Sequence, residues 1–197
     1  MKMKPLLLLA YLAAASLLAP FTRAQVPVFA VTPGTSTIKF NVKASVAIAA
    51  NFNKWDATLT FTSPDVRSGV LDIEIHADSV DTGSGMKNDK LKSKDFFNAK
   101  QDPLITFRST SVVQTGSTTF DVAGNFTIRG ISKPETLKLT VSGKGTGSGA
   151  IMGTMAFDRK DYGMNSGIPF IKIANRVEVD ISLKVKRVGG PPVTFQQ

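Results

Sequence analysis

Few residues in this chain of 197 can do covalent chemistry, and their spacing suits an enzyme poorly. There is one histidine, His76, and no cysteine. A nucleophile–base pair would have to be built without imidazole or thiol, and a zinc site would lack its usual ligands. His76 falls on the even, polar side of a segment whose odd residues, Leu71, Ile73 and Ile75, are apolar. That parity turns it to solvent as an ordinary surface histidine. The remaining candidate is the run Asp158-Arg159-Lys160-Asp161, where two carboxylates flank a guanidinium. It could serve a hydrolase or isomerase as an acid–base cluster, or it could be a structural ion-pair network, which perturbs protonation in the same way. No catalytic residue, metal ligand or cofactor is assigned.

A second set of residues points to binding. The stretch from Lys87 to Lys100 carries five lysines (87, 90, 92, 94 and 100) against Asp89 and Asp95. It reads either as a basic rim that meets anionic headgroups and touches a membrane surface transiently, or as a solvated loop face. Inside it sit Phe96 and Phe97, followed by Pro103 and the alternating pair Ile105 and Phe107. Two adjacent phenyl rings are expensive to leave in water, so this loop must fold back over apolar surface. The pair either plugs the fold as core or lines an entrance and moves when a ligand passes. Its place outside any regular strand tips the reading towards the entrance. Nucleic acid fits poorly, because the basic residues are spread over the strands and the chain opens with an export signal.

That opening segment has a basic start (Lys2, Lys4), an apolar run from Leu6 to Ala19, the breaker Pro20, and small residues at Thr22 and Ala24. It predicts a signal peptide over 1–24 and a mature chain of 173 residues beginning at Gln25. A bilayer-spanning helix needs about 20 apolar residues, which makes a retained anchor the weaker reading. Losing Lys2, Lys4 and Arg23 lowers the net charge from +9 to +6. The absence of cysteine excludes disulfides and a lipid-modified N-terminal cysteine, so the fold must rest on its core. The periplasm is the compartment this implies.

Period-two alternation dominates from Ile38 onward. Ile38, Phe40, Val42, Val46 and Ile48 are apolar and their neighbours polar; Val177, Val179, Ile181, Leu183 and Val185 repeat the pattern near the C-terminus. Such alternation marks strands with one dry and one wet face. Further segments are Trp55–Phe61, Leu71–Ala77, Ile105–Phe107, Phe120–Ile128, Leu137–Val141 and Ile151–Phe157, with a short strand at Val28–Thr32. Turn-rich stretches, among them Gly130 to Pro134 and Gly143 to Gly149, separate several of them. The only helix expected is a turn or two over Met86–Lys92, capped by Ser84. The sum is an all-β fold of about eight antiparallel strands over 25–188, a sandwich or a barrel, with 189–197 as a flexible tail. A barrel of that size is either filled by side chains or holds one small ligand.

The order of several short motifs resembles the YceI-like family. They are Ser36-Thr37-Ile38-Lys39-Phe40, Phe52-Asn53-Lys54-Trp55, Asp78-Ser79-Val80-Asp81-Thr82, Asn88 through Phe97, Pro103-Leu104-Ile105-Thr106-Phe107, Phe126-Thr127-Ile128-Arg129-Gly130, and Asp158 through Gly163. The resemblance runs from about Phe29 to Arg187 and implies a lipocalin-like barrel that binds a polyisoprenoid or isoprenoid quinone. It also implies that Arg159 pairs carboxylates where a strand leaves the barrel. Asn88 stands where the family usually has arginine, which bears on how the loop is tied down.

A ligand inside such a barrel would touch the inward register: Phe40, Val42, Trp55, Leu59, Phe61, Ile73, Ile75, Phe96, Phe97, Ile105, Phe107, Phe126, Ile128, Leu139, Phe157, Val179 and Ile181. Two functions are carried forward: non-covalent carriage of a long apolar lipid in the periplasm, and a stress-response structural or interaction protein with a filled barrel.

Overall fold

The computed structural model describes residues 25–45, 48–167 and 172–196. The expected signal peptide and Val46 lie outside them. The described chain forms β1 (Val28–Val31), β2 (Thr37–Ala44), β3 (Ile48–Phe52), β4 (Trp55–Phe61), β5 (Gly69–His76), β6 (Val80–Asp81), α1 (Gly85–Lys92), β7 (Leu104–Gln114), β8 (Thr119–Ile128), β9 (Ile131–Ser142), β10 (Ser148–Asp158) and β11 (Ile173–Gly189). All strands join one antiparallel sheet in the order β4-β5-β7-β8-β9-β10-β11-β2-β3-β6, with β1 paired to β11. The sheet curls into a lipocalin-like barrel. Its two ends meet at Asn53–Lys54, where Asn53 N–H donates to the Ser79 carbonyl (3.1 Å) and Lys54 accepts from His76 N–H (3.0 Å). On the far side Phe29 of β1 approaches Phe61 of β4, with ring centroids 5.8 Å apart.

Alternation places the core. In β8 the even residues from Phe120 to Ile128 are buried, in β5 the odd residues Leu71, Ile73 and Ile75, and in β11 Val177, Ile181, Leu183 and Val185. Their outward neighbours stay wet, as a half-buried strand requires.

There are eleven strands where about eight, besides the short one at Val28–Thr32, were expected; the additions are β3 and the two-residue β6. The segment read as one strand from Ile38 to Ile48 is a hairpin, with Phe40 opposite Ala50 and Val42 opposite Ile48. Buried residues on both arms are even-numbered, so the alternation passes through the reversal unbroken. β9 starts at Ile131, before its expected Leu137. Arg129 (φ 55°) and Gly130 (φ 70°) make a two-residue turn of the kind that positive φ favours in hairpins, and Ile128 pairs with Ile131 across it. Pro134 lies in this strand at no cost to the ladder. β10 pairs with β9 only from Lys138 onward, so no partner on that side needs its missing N–H.

One smaller expectation is corrected, and the C-terminal segment is placed. Ser84 sits at the start of α1 but its hydroxyl makes no cap; its carbonyl accepts from Asn88 N–H (2.9 Å). The segment 189–197, expected as a flexible tail, continues β11 through Gly189 and then returns to the barrel over its described residues. Thr194 N–H donates to the Pro64 carbonyl (2.8 Å), and the Thr194 carbonyl accepts from Val66 N–H (3.0 Å). Phe195 stacks on Phe120 at 6.1 Å. Apolar side chains at Val193 and Phe195 give this piece of chain something to bury.

Candidate functional site

The barrel interior holds two apolar cavities with a packed layer between them. The larger, about 120 Å³, lies under the β9–β10 turn and is lined by Phe29, Leu59, Phe61, Leu71, Val112, Phe120, Val122, Leu139, Ile151, Val185 and Phe195 among others. The smaller, about 60 Å³, lies at the α1 end. It is lined by Phe40, Val42, Ile75, Phe96, Phe97, Ile105, Phe126, Ile128, Phe157, Val179 and others. Along β5, β7, β8, β10 and β11 the lining of one cavity gives way to that of the other with residues between that touch neither. Ile73 separates Leu71 from Ile75, and Phe107 separates Val112 from Ile105. Gly153 and Met155 separate Ile151 from Phe157, and Ile181 and Leu183 separate Val185 from Val179.

This waist is tight because two glycines admit its large side chains. A Cβ on Gly124 would lie 2.6 Å from Phe107 Cζ, and one on Gly153 would lie 2.6 Å from both Ile181 and Leu139. Ile73, Phe107 and Ile181 are each about 5 % exposed or less.

Of the residues expected to line a ligand space, three border the larger cavity (Leu59, Phe61, Leu139) and ten the smaller. Ile73, Phe107 and Ile181 fill the waist; Trp55 is half-buried and borders neither cavity. Most of the larger cavity's wall was not singled out. Val112, Phe120, Val122, Ile151 and Val185 lie on strands whose alternation was legible, whereas Phe29 and Phe195 belong to short terminal pieces. The rim is the β9–β10 turn, where Gly143, Gly145 and Gly147 all have positive φ. A Cβ on Gly143 would fall 2.1 Å from the Ser148 carbonyl oxygen, so glycine is required there.

Phe96 and Phe97 are core residues, 4 % and 7 % exposed. Phe97 packs edge-on against Phe40 (5.7 Å) and tilted against Phe52 (5.9 Å). Their loop is held by its own backbone: Phe97 N–H donates to the Leu91 carbonyl (2.9 Å) and Ala99 N–H to Lys92 (3.0 Å). Arg129 Nη1 donates to the Phe96 carbonyl (2.8 Å), and Lys90 pairs with Asp95 at 2.6 Å. Asn88 ties α1 to β6. Its Oδ1 accepts from Thr82 N–H (2.8 Å) and Oγ1 (2.7 Å), and its Nδ2 donates to Asp81 Oδ1 (3.2 Å). Asp81 also accepts from Gly83 N–H and Asn53, and these donors hold its carboxyl below the usual range.

The charged run at 158–161 does not converge. Asp158 caps the turn by accepting from Lys160 N–H (2.8 Å), and Asp161 pairs with Lys133 (3.2 Å). Arg159 is buried, and it donates to the carbonyls of Ala174, Met164 and Ser166. The carboxylate partner expected for it is absent among the described residues, and no undescribed residue has a carboxylate side chain. Backbone dipoles take that role. Tyr162 is fully buried and donates to Glu135 Oε1 (3.1 Å); burial pushes both groups above their ordinary pKa values. His76 is half-exposed at the end of β5. Among the described residues no cluster of three or more His, Cys, Asp or Glu could hold a metal, and no helix is long and apolar enough to cross a membrane.

The YceI-like domain model matches residues 29–185. A UPF0312 protein of Shewanella denitrificans is 30% identical over 165 residues, which cover 80% of this chain and 86% of its own. A UPF0312 protein of Pseudomonas syringae pv. syringae is 28% identical over 142 residues, 70% and 72% of the two chains. Among solved structures, BcnA of Burkholderia cenocepacia superposes with a TM-score of 0.71 at 26% identity, covering 79% of this chain and 99% of that one. A polyisoprenoid binding domain from Saccharophagus degradans, implicated in plant cell wall breakdown, gives 0.66 at 14% identity, covering 82% and 99%. At that identity the likeness is one of fold.

Proposed function

This chain belongs to the YceI-like family, and from that premise we propose that its barrel binds and carries a long apolar lipid, a polyisoprenoid or isoprenoid quinone, in the periplasm. The observation that carries the reading is the larger cavity, about 120 Å³ and walled mostly by apolar side chains, with the β9–β10 turn, Lys144 and Arg187 at its rim. At roughly 30 Å³ for each water-sized group, it accommodates about four methylenes, in keeping with the single benzene that an apolar cavity of ~150 Å³ holds. The smaller cavity takes roughly half as many. A longer chain threads both only if Phe107, Ile73 and Ile181 swing apart.

Each methylene moved from water into protein gains about 0.8 kcal/mol, but a bilayer solvates the same chain almost as well. Exchange with a membrane is therefore nearly balanced, and the barrel acts by shielding the chain during transit. The signal peptide expected over 1–24 supports the periplasmic setting. Transient contact with an anionic membrane surface is supported by the lysines around α1 and by Met86, 85% exposed beside them.

The waist favours a second reading. A barrel whose middle is this well packed also suits an interaction protein that needs no ligand. Organic extraction of protein purified from its native host, followed by mass spectrometry, separates the two. Stoichiometric isoprenoid lipid is the expected result. Lipid-free protein that also fails to take up isoprenoid from vesicles would overturn the carrier.

A further inference from the structure

Among the described residues the two ends of the barrel are closed in different ways, and one closure is undone at less cost to the core than the other. No exposed residue among those described lines the smaller cavity. Its cover, the Phe96–Phe97 loop, is buried and carries backbone hydrogen bonds to α1. The larger cavity reaches the surface, since exposed Lys144 and Pro192 line it. Across that mouth lies the segment 191–196, which belongs to no strand and has two polar ties. Thr194 is fastened to Pro64 and Val66. Gln196 N–H donates to Gln114 Oε1 (2.8 Å), and Gln114 Nε2 donates to the Gln196 carbonyl (2.9 Å). Between the ties, half-buried Phe195 rests on Phe120, with Lys144 Nζ 4.6 Å above its ring.

We propose that this C-terminal segment is a strap over the portal of the barrel. A bound apolar chain enters and leaves beneath it, with Phe195 as the stopper, while Phe96 and Phe97 seal the opposite end. The physical basis is the difference between the two covers. Lifting residues 191–196 releases hydrogen bonds at exposed positions, which water replaces, and uncovers one half-buried ring. Lifting the Phe96–Phe97 loop would strip two buried rings from the core. The strap also carries what an apolar chain needs at a doorway: a ring that can swing aside, Pro192, Val193, and no carboxylate among the cavity-lining residues. The rim cations Lys144 and Arg187 can hold a polar or anionic head outside while the tail lies within. The inference rests on the apolar-ligand reading above and adds the route to it.

The chain has no cysteine, so a pair introduced at Asp65→Cys and Thr194→Cys forms the only disulfide possible. These residues face each other across a β-bridge, a placement that suits a disulfide. Stopped-flow exchange of the apolar fluorophore N-phenyl-1-naphthylamine is measured on the full chain, oxidised and reduced. Oxidation should slow uptake and release together by at least threefold, and reduction should restore both. Phe195→Ala should speed both by at least threefold in the otherwise unchanged chain. Smaller effects, or an effect on one rate alone, would overturn the portal. Failure of every form to bind the fluorophore would overturn the carrier reading, and the portal with it.

Discussion

Replacing Phe97 with alanine separates a plug from a doorway more sharply than any other single change. The ring is 7 % exposed and makes two aromatic contacts, edge-on to Phe40 at 5.7 Å and tilted to Phe52 at 5.9 Å. Truncating a buried phenylalanine costs about 3–5 kcal/mol, the sum of lost transfer energy and the void left behind. The upper half of that range is expected here, because the neighbours are themselves rings on separate strands and cannot all collapse inward. With a urea m-value of roughly 2 kcal/mol/M, the midpoint should fall by about 2 M. That is a large part of the ~5–15 kcal/mol that holds a domain together, so the single substitution is preferable to a double one. The assay is equilibrium urea unfolding followed by Trp55 fluorescence, with Met86→Ala, at an exposed position of the adjacent helix, as the control expected within about 0.5 kcal/mol of the parent. A midpoint shift below about 0.5 M, accompanied by faster exchange of a bound apolar probe, would refute the plug and restore the entrance.

Ile181→Asp should lower stability by several kcal/mol, since it buries a charge in the waist without a partner, whereas Ser182→Asp on the outer face should stay within about 0.5 kcal/mol. Equal melting temperatures for the two would show the register of β11 to be wrong. Asp81 has a folded-state pKa held below its unfolded value, so its contribution is present above the unfolded pKa and is lost as pH falls through the folded one. Asp81→Asn should flatten the stability profile below about pH 4, and an unchanged acid limb would remove Asp81 as the anchor of α1. N-terminal sequencing of exported protein should begin at Gln25, and a start at Met1 would eliminate the signal peptide.

The strands were legible because one face of each is dry, and a period of two survives any tertiary arrangement. The Ser45 reversal was not, because Val42 and Ile48 keep the same parity on either side of it. The start of β9 was hidden by Pro134, whose missing donor matters only where a strand has two partners, and pairing is not visible locally. The inward-facing residues could be named one by one, but not their division into two cavities and a waist. That depends on Phe107 meeting Gly124, and on Ile181 and Leu139 meeting Gly153, across strands far apart in sequence. The C-terminal cover escaped notice because Val193 and Phe195 alternate too briefly to register as a strand. Arg159 was legible as structural and misread in its partners, since sequence shows carboxylates nearby but not which way they turn.

β11 has a consequence for how the molecule comes into being. This one strand, the last in the chain, pairs with β10, β2 and β1, so the sheet has no continuous path from β10 to β2 until it arrives. A ribosome must make residues up to about Gly189 before Val28 can meet its partner. Contacts this distant in sequence close slowly, because the loop entropy is lost before any pairing repays it. During synthesis the chain therefore remains an unclosed thread with its greasy faces uncovered, suited to passage through a narrow channel and exposed to chaperones. If the signal peptide expected over 1–24 directs export, barrel closure becomes an event of the far side of the membrane, where β11, with its C-terminal extension, completes the sheet.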